Sequence, residues 1–265
     1  MRIVTSLLPE MMEAKPNRID VAVIIDVLRA TSVMTTAVES GAEQILTCRE
    51  VSQAVALADQ MELRPLLCGE RRCKPIAGFD CGNSPAEYTP ERVGGQTLIL
   101  TTTNGTNAIE MASAAERLIA ASFLNLPTVI EFLGGFKLVH LVCSGTDGQV
   151  TAEDVLLAGA IIDGCEIEYG ATIGDDDSIL ARQLWASWLP MAGSTPWSLL
   201  RRSERQHVQL ASEMLSRRLH QTLGGSNLVN LGFEQDLERC ALIGGSPVIA
   251  ERVQQSPTAF KLLAT

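Results

Sequence analysis

A phosphate-sized anion can be held largely by backbone, and the run Leu98-Ile-Leu-Thr-Thr-Thr-Asn-Gly-Thr-Asn-Ala-Ile109 has the residue types to do it. An apolar stretch enters a cluster of hydroxyls and a glycine, and helical spacing begins at once. The first N–H groups of a helix have no internal partner and sit at the positive end of its dipole. Thr101, Thr102, Thr103 and Thr106 add hydroxyl donors, Asn104 adds an amide, and Gly105 allows the backbone to approach a ligand closely. The same residues also suit a capped helix after a buried strand.

Further polar clusters follow other apolar runs. Asp26-Val-Leu-Arg29-Ala-Thr31-Ser32 closes the wholly apolar Val21 to Ile25. Asp26 could bind a metal or attack phosphorus; it could also cap the next helix or pair with Arg29. Arg29 has the fork geometry to grip an oxyanion, while Thr31 and Ser32 can cap a helix or donate to phosphate. In Gly69-Glu70-Arg71 the acid suits a hard cation, or it neutralises its basic neighbour. Ser144, Gly145 and Thr146 repeat the hydroxyl-and-glycine device after Cys143. Glu153 and Asp154 open the next helix, a place where the dipole alone favours acids. Asp80, Asn83 and Ser84 sit in the polar turn Gly78-Phe-Asp-Cys-Gly-Asn-Ser-Pro85, which suits either a backbone-satisfying turn or a metal's water shell. His140 lies in an apolar run, and His207 and His220 on a solvated helix, so a phosphohistidine is disfavoured. No nucleophile elbow, Walker loop or dinucleotide glycine fingerprint occurs.

The elements that must position these clusters alternate. Strands are expected at Val21–Val27, Gln44–Thr47, Pro65–Cys68, Thr97–Thr102, Arg117–Ala121 and Leu138–Cys143. Helices are expected between them: Thr31–Ser40, Val51–Met61, about Thr106–Ala115, Leu126–Leu133 with Asn125 as cap, and the apolar Thr151–Gly164. Such alternation predicts an α/β fold in three layers, a largely parallel sheet with helices on both faces. If all these strands are parallel, their polar clusters share one edge, where ligands bind in open sheets. The long Gly69–Pro90 stretch reads as an ordered functional loop. From about residue 170 to 240 the chain is mainly helical, with helices from Asp175 to Trp188 and from about Ser203 to Leu223, short turns, and a last strand near Pro247–Val253. No composition shift marks a boundary, so residues 1–265 are expected to form a single domain.

The net charge of −10 disfavours nucleic acid and anionic membranes as partners. It also means that a phosphate ligand needs local cations, and a divalent metal is one source. The seven cysteines are odd in number and several sit in apolar runs, as in a reduced, cytoplasmic protein. Cys68, Cys73 and Cys81 lack the paired spacing of a zinc site. The N-terminus is too short and too soon acidic for a signal peptide, and no apolar run reaches membrane-spanning length.

Asp26-Val-Leu-Arg-Ala-Thr-Ser32, Gly69-Glu-Arg71 with the Gly78–Pro85 turn, Thr101-Thr-Thr-Asn-Gly-Thr106, and Cys143-Ser-Gly-Thr146 with Glu153-Asp154 together resemble the 2-phosphosulfolactate phosphatase family of coenzyme M biosynthesis. The motifs span about residues 20 to 165, in the family's order. The resemblance implies a magnesium-dependent phosphatase with its own α/β fold, hydrolysing (2R)-2-phospho-3-sulfolactate to sulfolactate and phosphate. After Cys240-Ala241 this chain reads Leu-Ile-Gly-Gly-Ser-Pro247, without the acid the family places there, which leaves room for another phosphorylated 2-hydroxy acid as substrate.

On this reading Asp26, Arg29, Glu70 and Arg71 carry catalysis. Mg²⁺ is held by Asp26 and Glu70 with help from Asp80, Glu153 or Asp154. Thr31, Ser32, Asn83, Ser84, Thr101 to Thr106 and Ser144 to Thr146 hold the substrate. The competing class is a non-catalytic anion-binding or regulatory protein on the same scaffold, although a mere anion binder gains nothing from extra carboxylates. The sequence leaves homo-oligomer formation open.

Overall fold

The structure is a computed structural model that describes residues 1–14, 19–188, 196–202 and 205–263. Its strands are β1 (Arg2–Ser6), β2 (Val21–Ile25), β3 (Gln44–Thr47), β4 (Leu66–Arg71), β5 (Lys74–Pro75), β6 (Thr97–Thr101), β7 (Arg117–Ala121), β8 (Leu138–Cys143), β9 (Thr172–Ile173), β10 (Ala250–Gln255) and β11 (Thr258–Leu262). Its helices are α1 (Ala30–Glu39), α2 (Val51–Asp59), α3 (Pro90–Val93), α4 (Gly105–Met111), α5 (Leu126–Leu133), α6 (Ala152–Tyr169), α7 (Asp176–Trp188), α8 (Pro196–Arg202), α9 (Arg205–Leu219), α10 (Leu223–Asn230) and α11 (Glu234–Cys240). The expected helix start at Ser203 and the side chain of His207 lie outside the described residues.

The α/β reading holds, with helices on both faces of one sheet. Alternation along β2 sorts the layers. Val21, Val23 and Ile25 face a core built with α5, α6 and the C-terminal helices. Ala22 and Ile24 face α1 and α4 through Val33, Met34, Ala37 and Ala108. Buried on both faces, the strand is a continuous apolar run, as parallel strands usually are. Residues Glu153 to Cys165 of α6 are all buried, which explains the strongly apolar composition of that segment.

Strand order is β5-β4-β6-β3-β11-β10-β7-β2-β8-β1-β9. It contains two parallel blocks, β4-β6-β3 and β7-β2-β8-β1-β9. Between them lies the C-terminal hairpin, antiparallel within itself and to both neighbours. Three successive antiparallel pairings reverse direction, so the two blocks run in opposite senses. The expected single parallel edge is therefore corrected.

The carboxyl ends of the two blocks nevertheless meet. The Asp147 N–H donates to Asn104 Oδ1 at 3.2 Å, and Arg29 Nη2 donates to the Cys73 carbonyl at 3.1 Å. Opposed blocks can meet in this way only if the sheet curls between them. The hairpin sits at that turn, with a register shift between Arg252 and Gln254 of the kind that sharpens twist. Several elements were not expected from sequence: β1 between β8 and β9, β11, and the short helices α10 and α11 where only turns were anticipated.

Candidate functional site

A cavity of about 580 Å³ opens where the blocks meet. Asp26, Arg29, Glu70, Asn83, Thr102, Thr103, Asn104 and Thr146 line it, all of them singled out from sequence. Leu28, Arg72, Cys73, Asp147, Gly224, Asn227, Asn230 and Leu231 complete the wall and were not anticipated.

Asp26 is the first polar residue after β2. Thr31 fixes the turn: its hydroxyl donates to the Asp26 carbonyl at 2.8 Å and accepts the Asp26 N–H at 3.1 Å. Ser32 donates to the Val27 carbonyl at 2.8 Å. Thr31 and Ser32 thus order the loop and do not reach the cavity wall. Asp26 Oδ1 accepts the Ala30 N–H at 3.1 Å. Burial pushes the Asp26 carboxyl up to about 7; Glu70 and Glu153 push the same way, while Ala30 and Arg29 pull it down.

Arg29 is buried and tightly held. Its Nη1 donates to Asp236 Oδ2 at 2.6 Å, and its guanidinium lies 4.5 Å from the centre of the Phe233 ring. Ser84 donates to the other oxygen of Asp236 at 2.6 Å, so Ser84 acts on the site through Asp236. Asp236 was missed from sequence. The available signal was a buried arginine that needs a partner, but its partner lies 207 positions along the chain.

Glu70 is gripped by backbone. Its carboxylate accepts the Thr103 N–H at 2.8 Å and the Cys73 N–H at 2.6 Å. The Thr103 N–H, expected to face a bound anion, instead meets an anion of the protein. The turn between β4 and β5 has Arg72 and Cys73 at φ 53° and 61°, as a two-residue hairpin turn requires. That turn points the Cys73 N–H at Glu70.

The expected role of Arg71 is corrected by its contacts. It donates to the Glu70 and Arg49 carbonyls and to Thr101 Oγ1, tying β4 to neighbouring loops, and it does not line the cavity. Arg72, the first residue of the turn that follows β4, is exposed and lines the cavity instead.

Only part of the threonine-rich loop faces the cavity. Thr101 donates to the Arg49 carbonyl, and Thr106 donates to the Thr102 carbonyl at 2.8 Å. A Cβ on Gly105 would stand 2.7 Å from Ala30 Cβ and 2.8 Å from Asp26 Oδ2. The glycine lets α4 press against the Asp26 loop rather than against a ligand.

Asp154 also departs from its expected role. Its oxygens accept the Val27 N–H at 2.9 Å and the Gly145 N–H at 3.0 Å, which locks the loops after β2 and β8 together. Burial raises its carboxyl well above the ordinary range, with Asp26 and Glu153 adding to the shift. Burial raises Glu153 too, and its Oε2 makes no hydrogen bond among the described residues. Ser144 and Gly145 sit behind the wall, and Thr146 reaches it. Asp80 is not brought to the site: it pairs with Arg64 at 2.9 Å and accepts the Leu67 N–H at 2.9 Å.

The C-terminal helices close one side. A Cβ on Gly224 would fall 2.0 Å from Glu153 Oε1, so α10 packs directly over that buried acid. The lining charges are therefore Asp26, Glu70 and Asp147 against Arg29 and Arg72, with Glu153 and Asp154 behind them and Arg29 already paired to Asp236. Among the described residues no three His, Cys, Asp or Glu side chains converge as a preformed metal cage. No helix among them is long and apolar enough to cross a membrane.

The family profile described as 2-phosphosulpholactate phosphatase matches residues 6–207. A probable 2-phosphosulfolactate phosphatase of Thermotoga petrophila is 45% identical over 152 residues, 57% of this chain and 65% of the relative, so the match spans less than two thirds of that protein. The Thermotoga maritima relative matches to the same extent. A relative of the same description from Symbiobacterium thermophilum is 38% identical over 226 residues, 84% of this chain and 87% of that protein. One from a Synechococcus species is 36% identical over 240 residues, 88% of each. With the family's motifs gathered on one cavity and its profile covering most of the sequence, the chain belongs to the 2-phosphosulfolactate phosphatase family.

Proposed function

We propose that the protein is a Mg²⁺-dependent phosphoric monoester hydrolase that releases phosphate from (2R)-2-phospho-3-sulfolactate or a related phosphorylated 2-hydroxy acid. The observation that carries this reading is the acid balance of the cavity: the carboxyl groups that line it (Asp26, Glu70 and Asp147) or lie buried behind it (Glu153 and Asp154) outnumber its two guanidiniums, Arg29 and Arg72, where the family's motifs converge. A multiply anionic substrate is disfavoured in such a site while these acids are ionised. A divalent cation reverses the local field.

The donor set fits Mg²⁺. That ion usually takes one or two protein carboxylates and completes its shell with water and substrate phosphate, so a preformed cage is not needed. Asp26 and Glu70 line the cavity and would hold it, with the unbonded Oε2 of Glu153 close behind. When bound, the cation neutralises charge on the phosphoryl oxygens and polarises the phosphorus. Asp26 Oδ2 accepts no hydrogen bond among the described residues, so this atom is free to hold a proton or face the cation. Thr102, Thr103, Asn104 and Thr146 supply neutral donors to phosphate oxygens. Arg29, held by Asp236, Phe233 and Cys73, offers its remaining N–H groups in a fixed direction, which serves positioning and charge neutralisation. We read the physiological setting as coenzyme M biosynthesis in the cytoplasm.

Phosphate release from synthetic 2-phosphosulfolactate tests this. Turnover should fall at least a hundredfold in chelator and return on adding Mg²⁺. A folded protein with no turnover under either condition overturns the reading.

A further inference from the structure

The buried and the exposed parts of the cavity lining differ chemically. The buried part holds Asp26 and Glu70, with Glu153 and Asp154 behind. In the more exposed part, α10 presents Asn227 and Asn230, three residues apart and so on one helix face. Exposed Arg72 lines the same cavity. None of these three side chains makes a hydrogen bond or ion pair among the described residues, although each lines the cavity. The one acid lining this part is Asp147, which is exposed.

Arg72 sits in the left-handed region at φ 53°, where a long side chain is uncommon and glycine or asparagine is preferred. Strained backbone of this kind persists where surrounding structure holds it. Here the adjoining Cys73 is anchored through its N–H to Glu70 and through its carbonyl to Arg29. The turn therefore couples the position of Arg72 to the inner acids. The profile match ends at residue 207, so the α10 wall lies beyond the segment that carries the family's motifs.

We propose that Asn227, Asn230 and Arg72 form the subsite for the sulfonate of the substrate, and so set selectivity for a sulfonated over a plain 2-phospho-hydroxy acid. This rests on the phosphatase reading above. A sulfonate spreads one charge over three oxygens, is a weak ligand for hard cations, and is best met by N–H donors. Two amides and a guanidinium supply such donors from the more exposed part of the lining, where no buried carboxylate stands. The phosphoryl group, which needs the cation, is left for the buried part. Amides also recognise an anion without adding a fixed charge that would compete with the metal for the inner acids.

The test compares the wild-type protein with Asn227→Ala/Asn230→Ala and with Arg72→Asn, a residue that tolerates the left-handed backbone. For each, kcat/KM is measured on 2-phosphosulfolactate and on 2-phospholactate with Mg²⁺, and 3-sulfolactate binding is measured by calorimetry. The ratio of the two kcat/KM values should fall about tenfold or more in each variant, the scale of a lost hydrogen bond to a charged group. The sulfolactate Kd should rise by a similar factor. An unchanged ratio with both substrates impaired equally overturns the subsite, as does sulfolactate binding that the variants leave intact or that the wild type lacks. If the wild type hydrolyses neither phosphoester, the phosphatase reading fails, and the calorimetric arm alone decides the subsite. Circular dichroism excludes loss of fold, and Arg72 lies on a different element from the amide pair.

Discussion

Replacing Asp26 by asparagine should remove turnover and yet make the metal-free protein more stable above neutral pH. The Asp26 carboxyl is raised from 3.8 to about 7, chiefly by burial and then by Glu70 and Glu153. The folded protein therefore binds this proton more tightly than the unfolded chain does. Below pH ~4 both states are protonated and the group's contribution is fully present; it is lost as pH rises through about 7. At about 1.4 kcal/mol per pKa unit, the loss approaches ~4 kcal/mol by pH 8. Asparagine is isosteric, stays neutral and still accepts the Ala30 N–H, so the variant escapes this loss. In a chain of 265 residues that corresponds to a melting temperature on the order of 10 °C higher than wild type at pH 8. The difference should shrink toward pH 4. Adding Mg²⁺ at pH 8 should stabilise the wild type and leave the variant nearly unchanged. Scanning calorimetry from pH 4 to 8, with and without Mg²⁺, measures all of this. A variant that melts at or below wild type at pH 8, with the same pH slope, would refute the claim that Asp26 is a buried acid awaiting a cation.

Asp236→Ala should cost about 3–5 kcal/mol in urea unfolding, because it leaves the buried Arg29 without its partner. It should also lower kcat/KM on 2-phosphosulfolactate, since Arg29 loses its fixed direction. Gly224→Ala forces Glu153 or α10 to move, because the new methyl would stand 2.0 Å from Glu153 Oε1. We expect a loss of about 1–3 kcal/mol in chemical denaturation, together with weaker Mg²⁺ activation. Arg71→Gln should reduce stability while preserving the Mg²⁺ requirement; a lost Mg²⁺ requirement would place Arg71 at the site after all.

The alternation of apolar strands and amphipathic helices was legible because each period is local: two residues for a strand and about 3.6 for a helix. β3, β7, β8 and α5 have the bounds expected from it. The polar clusters were legible for the same reason, since each follows its strand directly. β1 escaped notice because its five residues mix Ile3 and Val4 with Thr5 and Ser6 and show no apolar run. α10 escaped because Gly224, Gly225 and Ser226 argue locally against a helix, a preference that packing over Glu153 overrides.

By itself the amino-acid order determined the α/β class, the loops that carry polar chemistry, and the acids and hydroxyls within them. Only the tertiary structure decided how these meet. Strand direction depends on pairing partners far away in the chain, so sequence could not say that a C-terminal hairpin would separate two opposed parallel blocks and turn their carboxyl ends toward each other. Nor could it choose between Arg71 and Arg72, since the strand ends between them and the left-handed turn that begins at Arg72 sets where that side chain goes. The wall from α10 and the clamp from Asp236 come from the far end of the chain, where long-range packing sets position and local propensity is silent.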